Sequence, residues 1–411
     1  MTASADLVEE ELVSPSSITL QSNAAACRRA YGDREREALD PALAARARAD
    51  LRQWPGYAPT PLHSLPALAS RLGVGRVFAK HEGARTELSS FKALGGAYSL
   101  SILLAREVSK RAGGVAVGFR DLEAGSFAGI SRDITTCCAS DGNHGRSLAW
   151  GARRFGCQCV IYLPASVSEP RADAIRRFGA TVVRVDGNYD DAVHRAARDA
   201  AENGWLLVAD TATPTYREPP QLVMAGYSLL MDEAWQQISE HERPTHVIAQ
   251  AGCGGLAAVV ASYVWARDGA ERPTVMTVEP INAACVLETV KAGELAVVGG
   301  NHDTVMGGLA CGEVSWLAWE VLEAGLDHAL SISDDHVIEA VRGLANGEYG
   351  AALNAGESGA AGVGALLAIA EQPAIRRALG IDDTSRILVV ITEGVTDPVQ
   401  FEDILAGRRR A

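Results

Sequence analysis

Short apolar, β-branched runs alternate with amphipathic helical patterns along most of the chain. The runs begin near residue 76 and predict strands: RVFAKHEG, ITTCCAS, QCVIYLP, TVVRVDG, WLLVAD, THVIAQAG, PTVMTVEP and RILVVIT. Several segments between them repeat apolar residues at helical spacing, among them HGRSLAWGARRFG, PRADAIRRFGA and YDDAVHRAARDAAENG. This alternation predicts an α/β fold with mostly parallel sheets.

The stretch LSSFKALGGAYSL, residues 88 to 100, predicts a helix with a lysine in its first turn. Ser89 and Ser90 are good helix caps, and the apolar residues behind them recur at helical spacing. The amino end of a helix disfavours a cation, so Lys92 is expected to incline towards the neutral amine. Gly95 and Gly96 each cost about 1 kcal/mol relative to alanine inside a helix, which suggests that another group, such as a flat cofactor, approaches the backbone there. On this segment alone, an ordinary surface lysine is the preferred interpretation, and other segments must decide.

Composition and charge restrict the class of partner. The 411 residues include 51 acidic and 38 basic side chains, a net charge of −13 without a long run of one sign. This charge argues against a nucleic acid or an anionic membrane surface as partner. The length predicts two domains. The polar, acidic first residues do not resemble a secretory signal, so the cytoplasm is the expected location.

The cysteines do not predict a disulfide scaffold or a metal site. Eight cysteines in a chain of this length are too few for such a scaffold. Cys137, Cys138, Cys157 and Cys159 lie in or beside predicted strands, and no second cysteine pair or histidine cluster completes a zinc site. Buried thiols are the preferred interpretation, and no metal is expected.

Three loops that follow predicted strands have unusual composition. They are SDGNHG at residues 140–145, AGCGGL at 251–256 and TEGVTD at 392–397. In open α/β sheets ligands collect at the carboxyl ends of the strands, and glycine-rich backbone at a helix start can bind phosphate. Neither glycine loop fits the dinucleotide or P-loop pattern. Taken singly, each glycine loop is more often a tight turn than a ligand site.

Taken together, these motifs resemble a known enzyme family. SSFKALGGAY, SDGNHGRSLAWGARRFG and AGCGGLAA, in that order, are similar to the fold type II pyridoxal phosphate enzymes, over about Asp50 to Leu405. Within that group the chain most resembles the diaminopropionate ammonia-lyases, through NYDDAV, VADTA, VEPINAACV, TVMGGLACGE, AGESGAAGVGAL and ITEGVTD. The resemblance implies two open, mostly parallel sheet domains with helices on both faces.

The resemblance also implies the residues that hold pyridoxal 5′-phosphate. Lys92 would form the Schiff base, the 252–256 loop would hold the phosphate, and Asn143 would bond the ring oxygen. Thr392 would lie near the ring nitrogen, where a neutral hydroxyl suits prompt elimination at Cβ. The implied cofactor-binding residues are Lys92, Phe91, Asn143, Gly252, Cys253, Gly254, Gly255, Leu256 and Thr392.

The implied reaction removes ammonia from 2,3-diaminopropionate and gives pyruvate and ammonia. A β-ammonium leaving group is cationic, so its site should offer carboxylates, which a dehydratase does not need. Asp141 and Asp210 match the residues that the family uses as acid and base. By the same likeness, Asp141 would serve the D isomer and Asp210 the L isomer. For each, an aspartate that caps the next helix is the structural alternative.

The chain departs from the family at two substrate-side segments. RTELSSFK replaces the usual RFGLNAFK at Thr86, Glu87, Ser89 and Ser90, and DTATPTY replaces DTAWEGY, so that Thr213 stands for a tryptophan. A dehydratase or a β-replacement enzyme that acts on serine, threonine or another β-substituted amino acid is therefore the alternative. A catalytically silent protein with this fold is disfavoured because Lys92, Asn143 and the glycine loop are intact.

The resemblance further predicts domain organisation and assembly. Residues 1–40 would form a loosely held N-terminal arm, 41–95 with 215–411 the large cofactor-binding domain, and 96–214 the small domain. A homodimer is expected, with a small amino acid as substrate. Cys285 and Cys311 match motif positions of the lyases and are candidates for a disulfide, with two separate buried thiols as the alternative.

Overall fold

The computed structural model describes residues 17–140, 142–187 and 189–408, and it shows two sheets surrounded by helices. The strands are β1 Ile18–Ser22, β2 Leu62–Ser64, β3 Arg76–His81, β4 Thr135–Ala139, β5 Gln158–Pro164, β6 Thr181–Val185, β7 Leu206–Leu207, β8 His246–Gln250, β9 Thr274–Pro280, β10 His328–Ile332 and β11 Arg386–Ile391.

The helices connect these strands and cover the sheets. They are α1 Asp33–Ala38, α2 Pro41–Leu51, α3 Pro66–Leu72, α4 Gly96–Arg111, α5 Phe119–Glu123, α6 Ala128–Ser131, α7 Asn143–Phe155, α8 Glu169–Arg176, α9 Tyr189–Asn203, α10 Glu218–Gln237, α11 Gly255–Asp268, α12 Cys285–Ala292, α13 Trp316–Gly325, α14 Asp334–Ala345, α15 Glu357–Ala370, α16 Pro373–Ala378 and α17 Pro398–Leu405.

The larger sheet has seven strands in the order β1-β10-β9-β8-β11-β3-β2, and the smaller has four in the order β6-β5-β4-β7. The smaller sheet is parallel throughout, whereas in the larger one only the edge strands β1 and β2 run antiparallel to their neighbours. The predicted α/β fold with mostly parallel sheets is confirmed. The domain boundaries at 95/96 and 214/215 stay a prediction.

The central strands are apolar on both faces because helices cover both. All five residues of β8 are buried. Val247 and Ala249 belong to the core cluster that contains α11, whereas Ile248, between them, packs into the cluster that contains α15. Alternate residues of a strand point to opposite faces, so helices lie on both faces of the larger sheet.

Three strands were not predicted. β10 carries a histidine and a serine in a five-residue run, and β1 and β2 are short and partly polar, so their apolar signal is weak. β1 also differs from the loosely held arm expected for residues 1–40. It pairs antiparallel with β10, and Ile18, at 2% exposure, packs into the core of the larger sheet.

The segment around Lys92 is a 3₁₀ turn rather than the first turn of a long helix. This turn spans Phe91–Leu94, Ser90 is its N-cap, and the α-helix α4 begins only at Gly96. The Ser90 hydroxyl accepts a hydrogen bond of 3.4 Å from the backbone N–H of Lys92. The predicted Ser90 cap is therefore confirmed, and the predicted continuous helix is wrong because the chain bends at Gly95.

The two glycines after Lys92 are explained by helix packing, not by a cofactor at that backbone. A Cβ atom on Gly95 would overlap the ring of Tyr227 from α10, and one on Gly96 would lie 2.9 Å from the Ser147 hydroxyl of α7. Gly226 makes the reciprocal approach, since a Cβ there would overlap the carbonyl oxygen of Leu94. Close packing of α10 and α7 thus fixes the turn that carries Lys92.

Among the described residues, no helix has both the length and the apolar character needed to cross a membrane.

Candidate active site

A cavity lies where the carboxyl ends of strands from both sheets meet. Its walls include the loop after β8, the segment after β11, the start of α7 after β4, and Asp210 after β7. In the larger sheet, the chain proceeds from β8 to β9 on one side, while β11 lies on the other side, so the cavity is at a point where strand order reverses. Such a crevice is the usual ligand site of an open α/β sheet.

The structure brings the predicted residues together at this cavity. The described residues of the prediction that line it are Lys92, Phe91, Asn143, Asp210, Gly252, Cys253, Gly254, Gly255, Leu256 and Thr392. Asp141, the other predicted acid/base residue, lies outside the described residues.

Lys92 forms an ion pair inside the cavity. Its Nζ lies 2.5 Å from Oδ2 of Asp210, and the two side chains are 23% and 15% exposed. The structure therefore pairs Lys92 with a carboxylate, whereas the sequence predicted an uncharged amine at a helix start. The partner comes from the end of β7, which no local pattern around Lys92 could reveal.

His144 completes a small polar cluster behind this pair. Its Nε2 lies 2.7 Å from the carbonyl oxygen of Val208, and its Nδ1 lies 3.7 Å from Oδ2 of Asp210. A carbonyl oxygen only accepts, so Nε2 must carry the hydrogen, and Nδ1 is the ring atom turned towards Asp210. Burial opposes ionisation of Asp210, but the charges of His144 and Lys92 and the Lys92 hydrogen bond outweigh it, and the pKa of Asp210 lies below its ordinary value.

The loop between β8 and α11 forms a cradle of backbone amides. The N–H groups of residues 252–255 donate no hydrogen bond to another described residue. Gly254 has φ +84°, and a Cβ atom on Gly255 would meet nothing within 4 Å, so this backbone is open to the cavity. Free amides at the amino end of a 14-residue helix form an anion site without a basic side chain.

Thr392, directly after β11, is held by backbone and side-chain contacts. Its hydroxyl accepts a 3.1 Å hydrogen bond from the Gln250 amide, and its carbonyl accepts one of 3.0 Å from the N–H of Phe91. Because Gln250 donates to it, the Thr392 hydroxyl keeps its own proton for another acceptor. Three backbone carbonyls also bond the Gln250 amide and fix its position.

Asn143, the first residue of α7, links the two sides of the cavity. Its amide donates to Oε2 of Glu393, and its oxygen accepts a 3.2 Å hydrogen bond from Arg146. Burial raises the pKa of Glu393, partly offset by the Asn143 hydrogen bond and by the charges of Arg171 and Arg146.

A second buried carboxyl lies beside Glu393. Glu357, the first residue of α15, is 3% exposed, and its Oε1 has no hydrogen-bond partner among the described residues. Burial raises the pKa of Glu357 to about 8, and the nearby charge of Glu393 adds to the effect. A carboxyl in such surroundings favours the neutral form.

The residues that depart from the family do not form the wall of the cavity. Among its described lining residues there is none of Thr86, Glu87, Ser89, Ser90 or Thr213. Glu87 accepts a 2.7 Å hydrogen bond from the Trp150 indole, and Thr213 forms a turn with Tyr216 on the exposed surface. None of the five substituted residues lines the cavity, although Ser90 is buried and caps the turn that carries Lys92.

Several lining residues were missed. Tyr227 of α10 gives no signal because α10 is an ordinary buried helix in sequence. Glu393 directly follows Thr392, and His144 lies within SDGNHG, so both were adjacent to predicted residues without a role of their own. Arg146 and Arg171 also line the cavity.

The predicted disulfide between Cys285 and Cys311 is not present. None of the eight cysteines is in a disulfide bond. Cys285 donates to the carbonyl oxygen of Gly252 at 3.4 Å, whereas the sulfur of Cys311 lies 3.0 Å from that of Cys253. The contact of Cys311 is thus made to a cysteine of the amide cradle, a pairing that motif positions did not indicate.

Pyridoxal phosphate fits the residues of this cavity. Three residues that line it each have a buried polar atom without a hydrogen-bond partner among the described residues: Gln250 Oε1, Tyr227 Oη and His144 Nδ1. Because the amide cradle and Lys92 line the same cavity, it offers an anion site and an amine to one molecule.

Comparisons with known proteins agree with this site. Residues 53–393 match the family model described as "Pyridoxal-phosphate dependent enzyme". The chain is 36% identical to the diaminopropionate ammonia-lyase of Escherichia coli K12 over 360 residues, 85% of this chain and 88% of that protein. Identity to the Salmonella typhimurium LT2 enzyme of that name is also 36%, over 88% of this chain and 91% of that protein.

A solved structure shares the fold over nearly the whole chain. The selenomethionine-containing holo diaminopropionate ammonia lyase from Escherichia coli superposes with a TM-score of 0.85 and 33% identity, covering 94% of this chain and 96% of that one. The chain is therefore a fold type II pyridoxal-phosphate dependent enzyme and belongs to the diaminopropionate ammonia-lyase family.

Proposed function

We propose that the protein eliminates ammonia from 2,3-diaminopropionate and releases pyruvate and ammonia. The observation that carries this proposal is the Lys92–Asp210 ion pair of 2.5 Å, which lies in the same cavity as the amide cradle. The pair can exchange a proton between the lysine and the carboxylate, and it shares the cavity with an anion site. The two relatives at 36% identity bear the name of this activity.

The cofactor would be held by the residues that face the cavity. The amides of residues 252–256 would bind its phosphate, Lys92 would hold it covalently, and Asn143 would bond the ring oxygen. The Thr392 hydroxyl, with its proton available, suits an unprotonated ring nitrogen. When bound, the cofactor supplies a conjugated ring that withdraws electrons from the substrate Cα.

Asp210, Lys92 and His144 would handle the protons. Asp210 is kept ionised by its two neighbours, so its Oδ2 can accept a proton, and Lys92 Nζ at 2.5 Å can exchange one with it. The Val208 carbonyl holds the His144 ring so that Nδ1 faces Asp210, which orients the carboxylate. Asp210 would thus act as a base for the L isomer, and Asp141 would act for the D isomer.

The walls of the cavity suit a substrate with a cationic β substituent. Asp210 and Glu393 both line it, and a carboxylate stabilises a β-ammonium before it leaves as ammonia. The substitutions that favoured a dehydratase or a β-replacement enzyme lie off the wall. The lyase reaction is therefore the function that this geometry supports best.

A substrate panel with two product assays tests the proposal. The purified enzyme is incubated with D- and L-diaminopropionate, serine and threonine, and oxo acid and ammonia are measured together. We expect two ammonia per pyruvate from diaminopropionate. One ammonia per pyruvate from serine, or per 2-oxobutyrate from threonine, without turnover of diaminopropionate would contradict the lyase and favour a dehydratase.

The cytoplasm and a homodimer are also part of the proposal. Eight cysteines outside any disulfide bond, two of them with sulfurs in contact, suit a reducing compartment. The homodimer is what the family resemblance implies. Light scattering on the purified protein is expected to give twice the chain mass of 43.3 kDa.

A further inference from the structure

A second cavity lies between α2, α10 and α11, apart from the active site. Its volume is about 220 Å³, and among the described residues it shares no lining residue with the active-site cavity. One water takes about 30 Å³ of liquid, so this cavity has room for a small organic molecule. Part of its wall is apolar and consists of Leu39, Pro41, Ala44, Val259 and Ala266.

Two arginines line the same cavity. Among the described residues, the Arg48 side chain of α2 donates one hydrogen bond, of 3.2 Å, to the Ser228 hydroxyl. Arg267, near the end of α11, lies 3.4 Å from the carboxylate of Asp268, its only ion pair within the described part of the chain. A guanidinium presents several N–H donors in a planar fork, so both arginines keep donors for an acceptor in the cavity.

The carboxylate in the wall already has other partners. Asp232 binds Arg52, and it accepts hydrogen bonds of 3.1 Å from the Tyr263 hydroxyl and 2.6 Å from the Gln236 amide. Nε of Arg48 stays 3.8 Å from this carboxylate. In a chain with a net charge of −13, this cavity therefore has an excess of positive charge. An anion is its electrostatic complement.

We propose that this second cavity binds a small organic anion, namely a carboxylate with a short apolar chain. The planar fork of an arginine bonds both oxygens of a carboxylate. The apolar part of the wall would bury the chain, as it does in most small-molecule sites. Inorganic phosphate lacks the apolar part, and a neutral amide lacks the charge that the two arginines favour.

The helices that line the second cavity also line the active site. Tyr227 of α10 lines the active-site cavity, and the next residue, Ser228, lines the second one. α11 begins in the amide cradle at Gly255, and Val259, about one turn later, lines the second cavity. A ligand that holds α2, α10 and α11 together is expected to order the cradle and to strengthen the binding of pyridoxal phosphate. Such coupling between two sites is reciprocal.

A ligand-observed NMR titration of the holoenzyme tests the class of ligand. Butanoate is compared with butanamide, which is neutral and of similar shape, and with inorganic phosphate. We expect butanoate to bind, and the other two compounds to bind at least about 10-fold more weakly. No binding of butanoate, equal binding of butanamide, or tighter binding of phosphate would overturn the proposal.

Variants of the two arginines locate the bound anion. Arg48→Met and Arg267→Met should each weaken butanoate binding about 10-fold to 150-fold, and Arg48→Lys should weaken it less. Arg71→Met, at an exposed arginine that does not line the cavity, should leave the affinity unchanged. Unchanged affinity in Arg267→Met would place the anion elsewhere and overturn the site. Arg267 is 46% exposed, so this variant decides even where Arg48→Met does not fold.

Retention of the cofactor tests the coupling. The holoenzyme is diluted with and without saturating butanoate, and bound pyridoxal phosphate is followed by its visible absorbance. We expect butanoate to lower the Kd of the cofactor about 5-fold to 150-fold in the wild type and to have no effect in Arg267→Met. An unchanged Kd in the wild type would overturn the coupling. Neither measurement uses diaminopropionate, so these results are independent of the proposed lyase reaction.

Discussion

Replacing Arg85 with methionine should destabilise the fold far more than the same change at an exposed arginine. Arg85 is 3% exposed and binds the carboxylates of Glu82 and Glu233 through four hydrogen bonds of 2.7–2.9 Å. Lys80 adds a 2.7 Å ion pair to Glu233. The cluster thus contains two cations and two carboxylates that are buried from water. Arg85 lies seven residues before Lys92 in the sequence.

The magnitude follows from the charge left behind. Without Arg85, Glu82 and Glu233 remain buried at 0% and 2% exposure with only Lys80 to balance them. Breaking a buried ion pair by removing one partner costs about 3–5 kcal/mol. With an unfolding entropy of about 2.1 cal/mol/K per residue, a cost of that size lowers the melting temperature of this chain by about 3–6 °C.

Arg71→Met is the matched control. Arg71 pairs with Glu339 at 2.8 Å, but the two side chains are 47% and 43% exposed. An exposed pair of that geometry contributes about 0–1 kcal/mol. Arg85→Lys is expected to fall between the two because an ammonium cannot bind both carboxylates in the planar fork of a guanidinium. Melting curves of the purified proteins, followed by circular dichroism, compare the three variants.

The pH dependence gives a second check of the reasoning. Burial raises the pKa of Glu233, but Arg85 and Lys80 outweigh it, so the folded-state pKa lies below 4.5. The stabilisation from this carboxylate is present above pH 4.5 and is lost as the pH falls. The difference in unfolding free energy between wild type and Arg85→Met should therefore become smaller at acidic pH. An Arg85→Met cost no larger than that of Arg71→Met, at every pH, would refute the argument from burial.

Four further substitutions test the active site and the packing around it. Asp210→Asn should lower kcat on L-diaminopropionate about 10²–10⁴-fold and spare the D isomer, with the reverse for Asp141→Asn; equal losses on both isomers contradict the division. The folded-state pKa of Glu357 is about 8, so its contribution to the free energy of unfolding is full below pH 4.5 and is lost as the pH rises to 8. Glu357→Gln should therefore remove a pH dependence of up to about 1.4 kcal/mol per pH unit from the free energy of unfolding, measured in urea. Gly226→Ala should cost about 1–3 kcal/mol because its Cβ would overlap the Leu94 carbonyl, and unchanged stability would show that the overlap is absent.

The alternation of strands and helices was visible in the sequence because the buried strands are apolar on both faces. The strand TVMTVEP became β9, buried at every position except its first residue. The sequence pattern does not predict β10 because its five residues, HALSI, include two polar side chains. Edge strands and short strands gain their stability from neighbours, and a linear pattern does not show the neighbours.

The sequence predicts those parts of the candidate site that lie in loops of distinctive composition. It does not predict the parts whose position depends on contacts between residues far apart in the chain. Lys92, Asn143 and the cradle stood out as motifs. The pairing of Lys92 with Asp210 depends on where β7 ends, and the reason for Gly95 depends on the Tyr227 ring of α10.

The cysteines show the same limit. Motif positions pointed to Cys285 as the partner of Cys311, but Cys253 provides the neighbouring sulfur because the loop before α11 folds beside residues 307–312. A loop-to-loop approach over 58 residues leaves no periodic signal in the chain.

The most direct test of the account is to find which lysine carries the cofactor. The sequence contains four lysines, at positions 80, 92, 110 and 291. Lys80 is fully buried in the charge cluster, and Lys110 and Lys291 are exposed, so only Lys92 lines the cavity among them. Borohydride reduction of the yellow holoenzyme, trypsin digestion and mass spectrometry should place pyridoxyl phosphate on Lys92, in an uncut peptide of residues 86–106, and Lys92→Ala should abolish the label and turnover. An adduct on another lysine, or none in active enzyme, would contradict the account.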